Sequence, residues 1–131
     1  MVCLETTFII DLLRGRENIR KIKDGIDKGS DSISIASPTI IEIKKGLILT
    51  NASEEEKDKA EKLINSLIVL NLDKDSASLS GEIEAGLIKK GDIIDLEDIM
   101  ISGICIINNE KLITRNKKHF ERIKNLEIET Y

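Results

Sequence analysis

The chain of 131 residues carries 20 Lys and Arg against 24 Asp and Glu, a formal net charge of −4. That length suits one domain, residues 1–131, with its own core. The acidic balance offers no basic patch of the kind that drives avid nucleic-acid binding. Hydrophobic residues make up 40% and aromatics 2%, so the core is aliphatic and stacking of bases on aromatic rings is not expected.

Cys3 and Cys105 lie in apolar segments without metal-ligand spacing. They read as small buried hydrophobes in a reducing compartment. The first apolar run has no basic segment before it, and the longest apolar stretch, Ile99 to Ile107, is too short to cross a bilayer. The expectation is a cytoplasmic protein with no membrane association.

Val2-Cys3-Leu4 is an apolar run too short for a helix, followed by Glu5 and the hydroxyls of Thr6 and Thr7. This predicts a buried strand delivering Glu5 at its carboxyl end and a helix opening at Thr6 or Thr7 that stops at Gly15. A polar helix is expected over about Glu17 to Lys28, with Ile19, Ile22 and Ile26 on one face. Gly29-Ser30-Asp31 reads as a turn, and Ser32 to Ala36 alternates like a strand. Ser37-Pro38 reads as N-cap and first residue of a helix to about Leu49.

Ser53-Glu54-Glu55-Glu56 is a capping box, and Glu55 with Lys59 and Asp58 with Lys62 have ion-pair spacing along the helix it opens. Leu67 to Leu70 has strand length. Asp73 caps a long helix closed by Lys89, Lys90 and Gly91, and Asp95 caps the next, to about Asn108. A strand at Leu112-Ile113-Thr114, a short helix from Lys117 to Lys124 and a strand from Leu126 to Thr130 complete the chain. Strands alternating with helices predict a three-layer α/β/α sandwich around a mostly parallel sheet.

In such a sheet ligands bind beyond the carboxyl ends of the strands. Glu5, Glu42 and Asp98 are expected there, and Thr114-Arg115-Asn116 leaves its strand at the same edge. A ring of carboxylates with almost no His or Cys nearby selects hard cations, Mg2+ or Mn2+, over zinc. The matching reaction is phosphodiester hydrolysis. Each acid also has a plainer reading: Asp98 suits the first turn of any helix, and Glu42 suits any solvated helix face. Thr6 is a cap or a site donor. Arg14, Lys44, Lys45, Arg115 and Lys117 are candidate phosphate contacts, or simply solvated cations. His119, the single histidine, reads as a surface residue.

Four motifs in order resemble the PIN-domain family, and more narrowly the VapC-type toxins. They are Leu4-Glu5-Thr6-Thr7-Phe8-Ile9-Ile10-Asp11-Leu12-Leu13-Arg14-Gly15, Ser37-Pro38-Thr39-Ile40-Ile41-Glu42, Ile94-Asp95-Leu96-Glu97-Asp98-Ile99-Met100-Ile101, and Leu112-Ile113-Thr114-Arg115-Asn116 with His119-Phe120. The resemblance covers essentially the whole chain. It implies a Mg2+-dependent endoribonuclease, commonly a homodimer, held inactive by a small antitoxin whose basic side chain enters the acidic pocket. Glu5, Glu42 and Asp98 would then hold metal and Asn116 would orient water or phosphate, with Thr6, Arg14 and Arg115 on the substrate.

The chain departs from the family at Glu5, where aspartate is usual, and at Asn116, where many members carry a fourth acid. A carboxylate moved by roughly 1 Å can cost a catalytic site about a hundredfold in rate. The alternative reading is therefore a PIN-fold binding or dimerisation module impaired in catalysis by Glu5.

Overall fold

The computed structural model describes residues 1–29 and 32–131, so Ser30 and Asp31 of the expected turn lie outside the described residues. The first half comprises β1 (Val2–Leu4), α1 (Thr6–Leu13), α2 (Glu17–Lys28), β2 (Ile33–Ala36), α3 (Ser37–Leu49) and α4 (Glu54–Asn65). The second comprises β3 (Ile68–Leu70), α5 (Lys74–Lys89), α6 (Leu96–Ile107), β4 (Lys111–Thr114), α7 (Lys117–Phe120) and β5 (Ile128–Thr130).

All strand pairs are parallel, in the order β3-β2-β1-β4-β5. From β1 the chain winds outward to β2 and β3, then returns to place β4 and β5 on the other side. The winding order therefore reverses between β1 and β4, where a ligand crevice opens in sheets of this kind.

The strands sort their side chains by parity. Val2, Leu4, Ile35 and Ile113 face a core built with Phe8, Ile9, Ile19, Ile43, Ala60 and Ile64 of α1 to α4. Cys3, Ala36 and Leu112 face the other core, with Leu87, Ile99, Ile101, Ile104 and Phe120 of α5 to α7. Helices thus cover both sides of the sheet, the expected three layers. Cys3 and Cys105 are both fully buried, and contact with Cys3 together with burial holds the Cys105 thiol well above its ordinary pKa. It stays protonated, as a small hydrophobe.

Helix starts are where the expectations need correcting. Helix α1 opens at Thr6 with Glu5 as its N-cap, so the acid itself takes the role assigned to a threonine. The N-cap of α3 is Ala36, and the Ser37 hydroxyl instead accepts a hydrogen bond from the Leu72 N–H at 3.2 Å. A partner from the neighbouring chain segment outcompetes the local cap. Asp95 occupies its N-cap position without a side-chain bond, whereas Asp73 and Ser76 form a complete reciprocal capping box.

The last helix stops at Phe120, whose side chain is fully buried, short of the expected end at Lys124. The charge pairs expected along α4 give way to others. Lys59 donates to the Leu13 carbonyl at 3.2 Å, satisfying the end of α1, and Glu61 pairs with Lys44 across to α3. Gly15 and Gly91 end their helices with φ of 73° and 77°, in the left-handed region. Among the described residues no helix is long and apolar enough to cross a membrane.

Candidate active site

Glu5 follows the central strand and is 2% exposed. Its Oε2 accepts hydrogen bonds from the Thr7 N–H at 3.1 Å, from the Thr7 hydroxyl, and from the Thr114 hydroxyl at 3.0 Å. The last of these spans the switch point from β4 to β1. Thr114 Oγ1 in turn accepts from the Asn116 N–H at 3.0 Å, which ties the turn after β4 to the same carboxylate. All three side-chain hydrogen bonds described for Glu5 fall on Oε2.

Glu42 sits on α3, half-buried. Its Oε1 accepts from the Thr6 hydroxyl at 2.8 Å, and Thr6 Oγ1 lies 3.2 Å from Thr39 Oγ1. Adjacent threonines thus divide the work, Thr7 holding Glu5 and Thr6 holding Glu42. Burial raises the Glu42 carboxyl above its usual pKa against the lowering effect of Thr6, with repulsion from Asp98, Glu5 and Glu97 adding to the rise.

Asp98, in the first turn of α6, is 8% exposed. Burial raises its pKa as well, opposed by a hydrogen bond with His119 and reinforced by repulsion from Glu5. His119 Nδ1 stands 3.2 Å from Asp98 Oδ2. The expectation for His119 is therefore half right: the ring is exposed, but it is also a partner of a site acid. No periodicity in the sequence links α6 to a residue on α7.

The three expected acids converge from three segments and feel one another's charge. Among the described residues, no Lys or Arg pairs with any of them, and the one basic side chain in contact is the His119 ring on Asp98. Buried like charges short of countercharge, with oxygen as the donor atom throughout, fit a hard divalent cation. Among the described residues no three His, Cys, Asp or Glu side chains form a ready cage for an ion. An ion would be held partly through water, as Mg2+ usually is.

Asn116 lies at the rim as N-cap of α7, with no side-chain capping bond. Arg14 is exposed at the end of α1 and lines a groove of about 630 Å3 with Ile10, Leu13, Glu42, Gly46 and Leu47. Glu42 marks the site end of that groove. Arg115 departs from the simple picture of a solvated cation, since its Nη1 is 3.2 Å from Oδ2 of the buried Asp11. Asp11, absent from the expected site, carried one legible signal: it is the sole acid in the apolar run Phe8 to Leu13.

Residues 2–126 match the PIN domain family. The chain is 28% identical over 102 residues to Ribonuclease VapC2 of Rickettsia felis, covering 78% of this chain and 76% of that protein. It is 30% identical over 110 residues to the tRNA(fMet)-specific endonuclease VapC of Salmonella typhimurium, covering 84% of this chain and 83% of that one. Among solved structures, a chain of R. felis VapBC2 bound to a promoter DNA fragment aligns with a TM-score of 0.91 at 25% identity, covering 100% of this chain and 99% of that one. A chain of DNA-bound VapBC from S. typhimurium aligns with a TM-score of 0.87 at 30% identity, covering 99% and 98%. By sequence along nearly its whole length, and by fold, the chain belongs to the PIN domain family and to the VapC group within it.

Proposed function

We propose that the protein is the toxin of a VapBC-type pair, an endoribonuclease that hydrolyses RNA phosphodiesters with a divalent metal, Mg2+ or in its place Mn2+. The observation that carries this reading is the convergence of Glu5, Glu42 and Asp98 at the switch point. Two of them are held by neighbouring threonines, and two are raised in pKa by burial and mutual repulsion. Glu5, Glu42 and Asp98 would hold the metal. When bound, a hard divalent cation supplies charge stabilisation for the phosphoryl oxygens and acidifies water for attack.

The protein's own groups do the rest. Thr6 and Thr7 fix the carboxylates, Thr114 locks Glu5 across the crevice, and Asn116 orients water or phosphate at the rim. Arg14 and Arg115 bind the RNA backbone. Three donors on Oε2 hold the longer Glu5 side chain in one place, which supports an active chain over the impaired-module reading.

The groove ending at Glu42, apolar along Ile10, Leu13 and Leu47 and partly acidic, suits a small antitoxin segment that brings a basic side chain to the acids. A homodimer and a cytoplasmic location complete the reading. Exposed Ile41, Ile48, Leu49, Ile93 and Leu96 are available to an interface between copies.

Two relatives are named as tRNA(fMet)-specific endonucleases, which makes initiator tRNA the first substrate to test. Purified protein should cleave it in Mg2+ and stop on addition of EDTA. Glu42→Gln should lose the activity; cleavage undiminished in Glu42→Gln overturns the reading.

A further inference from the structure

We propose that Asp11 is a positioning residue that aims the Arg115 guanidinium at a backbone phosphate of the RNA beside the three acids; this rests on the endoribonuclease reading above. Asp11 is 1% exposed, and a carboxylate so placed is costly unless it is paired. Its partners come from three parts of the chain. Arg115 Nη1, on the turn between β4 and α7, stands 3.2 Å from Oδ2. The Tyr131 hydroxyl donates to the same oxygen at 3.2 Å. Arg16 Nη1, beyond the end of α1, stands 3.5 Å from Oδ1, which accepts no hydrogen bond.

The phenol is itself fixed. The Tyr131 ring meets Phe8 edge-on at 5.0 Å, and burial together with the Asp11 charge pushes its pKa up to about 12. It therefore remains a donor at physiological pH.

Arg115 lies between two residues already tied to the site. Thr114 donates to Glu5, and the Asn116 N–H donates to Thr114. A guanidinium is planar with five donors in fixed directions, so anchoring one nitrogen sets where the others point. The Arg115 side chain is 42% exposed, which leaves its remaining donors for an anion. A phosphate is the anion that such a fork matches, and here the fork stands at the crevice where RNA would lie.

The test is binding of initiator tRNA in EDTA, where no turnover occurs, with thermal unfolding recorded for each variant. Arg115→Lys keeps the charge and the reach to Asp11 but loses the fork. It should weaken binding about tenfold at unchanged Tm, and Arg115→Ala at least as much. Asp11→Asn should weaken binding to a similar degree, with no further loss in the Asp11→Asn, Arg115→Ala double variant.

Wild-type affinity in Arg115→Lys, or losses that multiply in the double variant, would overturn the proposal. If Asp11→Asn does not fold, Asp11→Glu, which keeps the charge but moves the carboxylate, takes its place: it should weaken binding likewise, and wild-type affinity in it overturns the proposal. Wild-type protein that neither binds the tRNA in EDTA nor cleaves it in Mg2+ or Mn2+ overturns the endoribonuclease reading itself, and the role of Asp11 with it.

Discussion

Thr114 donates its hydroxyl proton to Glu5 Oε2 at 3.0 Å, across 109 positions of sequence. The bond joins the ends of two adjacent parallel strands, β4 and β1, and makes the position of the first acid depend on the fourth strand. Neither residue could hold that geometry alone.

Replacing Thr114 by valine keeps the shape and removes the donor. The buried Glu5 carboxylate loses one of three partners, and the Asn116 N–H loses its acceptor. Stability should fall by about 1–3 kcal/mol, and tRNA cleavage by roughly a hundredfold as the carboxylate shifts. Denaturant unfolding and initial rates measure the two effects. Thr114→Ser, which restores the hydroxyl, should recover most of the rate.

Glu42→Gln separates activity from stability. Burial and three neighbouring acids disfavour the Glu42 charge, so a neutral isostere relieves repulsion while keeping an acceptor for Thr6. Cleavage should be lost while the Tm at pH 7.5 in EDTA is equal to or above that of the wild type. A clear drop in Tm would show that the charge stabilises the fold.

The raised pKa values of Glu42 and Asp98 set the sign of the pH dependence. In the folded protein each group holds its proton more tightly than an ordinary glutamate or aspartate carboxyl does, at 4.5 and 3.8 respectively. Their stabilising contribution is therefore fully present below those values and is lost as pH rises through the folded ones. In EDTA, stability from these two groups should rise as pH falls from neutral towards about 5. Mg2+ should raise the Tm more at pH 7.5 than at pH 5, because a cation binds the ionised form. Calorimetry at both pH values tests both statements.

Gly103→Ala probes the packing of α5 on α6. A Cβ at Gly103 would stand 2.2 Å from Ser80 Oγ and 2.8 Å from the Ser76 backbone carbonyl. Alanine ordinarily favours a helix by about 1 kcal/mol over glycine. Here overpacking should outweigh that and destabilise by about 1–3 kcal/mol. Adding Ser80→Ala should recover part of the loss and not all, since the carbonyl cannot move aside.

Local pattern was enough for the alternation of strands and helices, and for the glycines ending α1 and α5. It was also enough to nominate Glu5, Glu42 and Asp98, because an acid just past an apolar strand, or near a helix start, is visible in a short window. The motifs could also be matched to a family, since their order along the chain survives without coordinates.

Tertiary structure decided which of several possible partners each polar group took. Ser37 gave up its capping role for the Leu72 N–H, Lys59 left its helix neighbours for the Leu13 carbonyl, and His119 turned to Asp98. Asp11 shows the difference most clearly. Its neighbours in sequence reveal a lone acid in an apolar helix, while its partners, Arg115 and Tyr131, arrive from the other end of the chain. Secondary structure follows from contacts a few residues apart, which the sequence displays. The pairing of buried charges is chosen by desolvation, which acts only once distant segments have packed together.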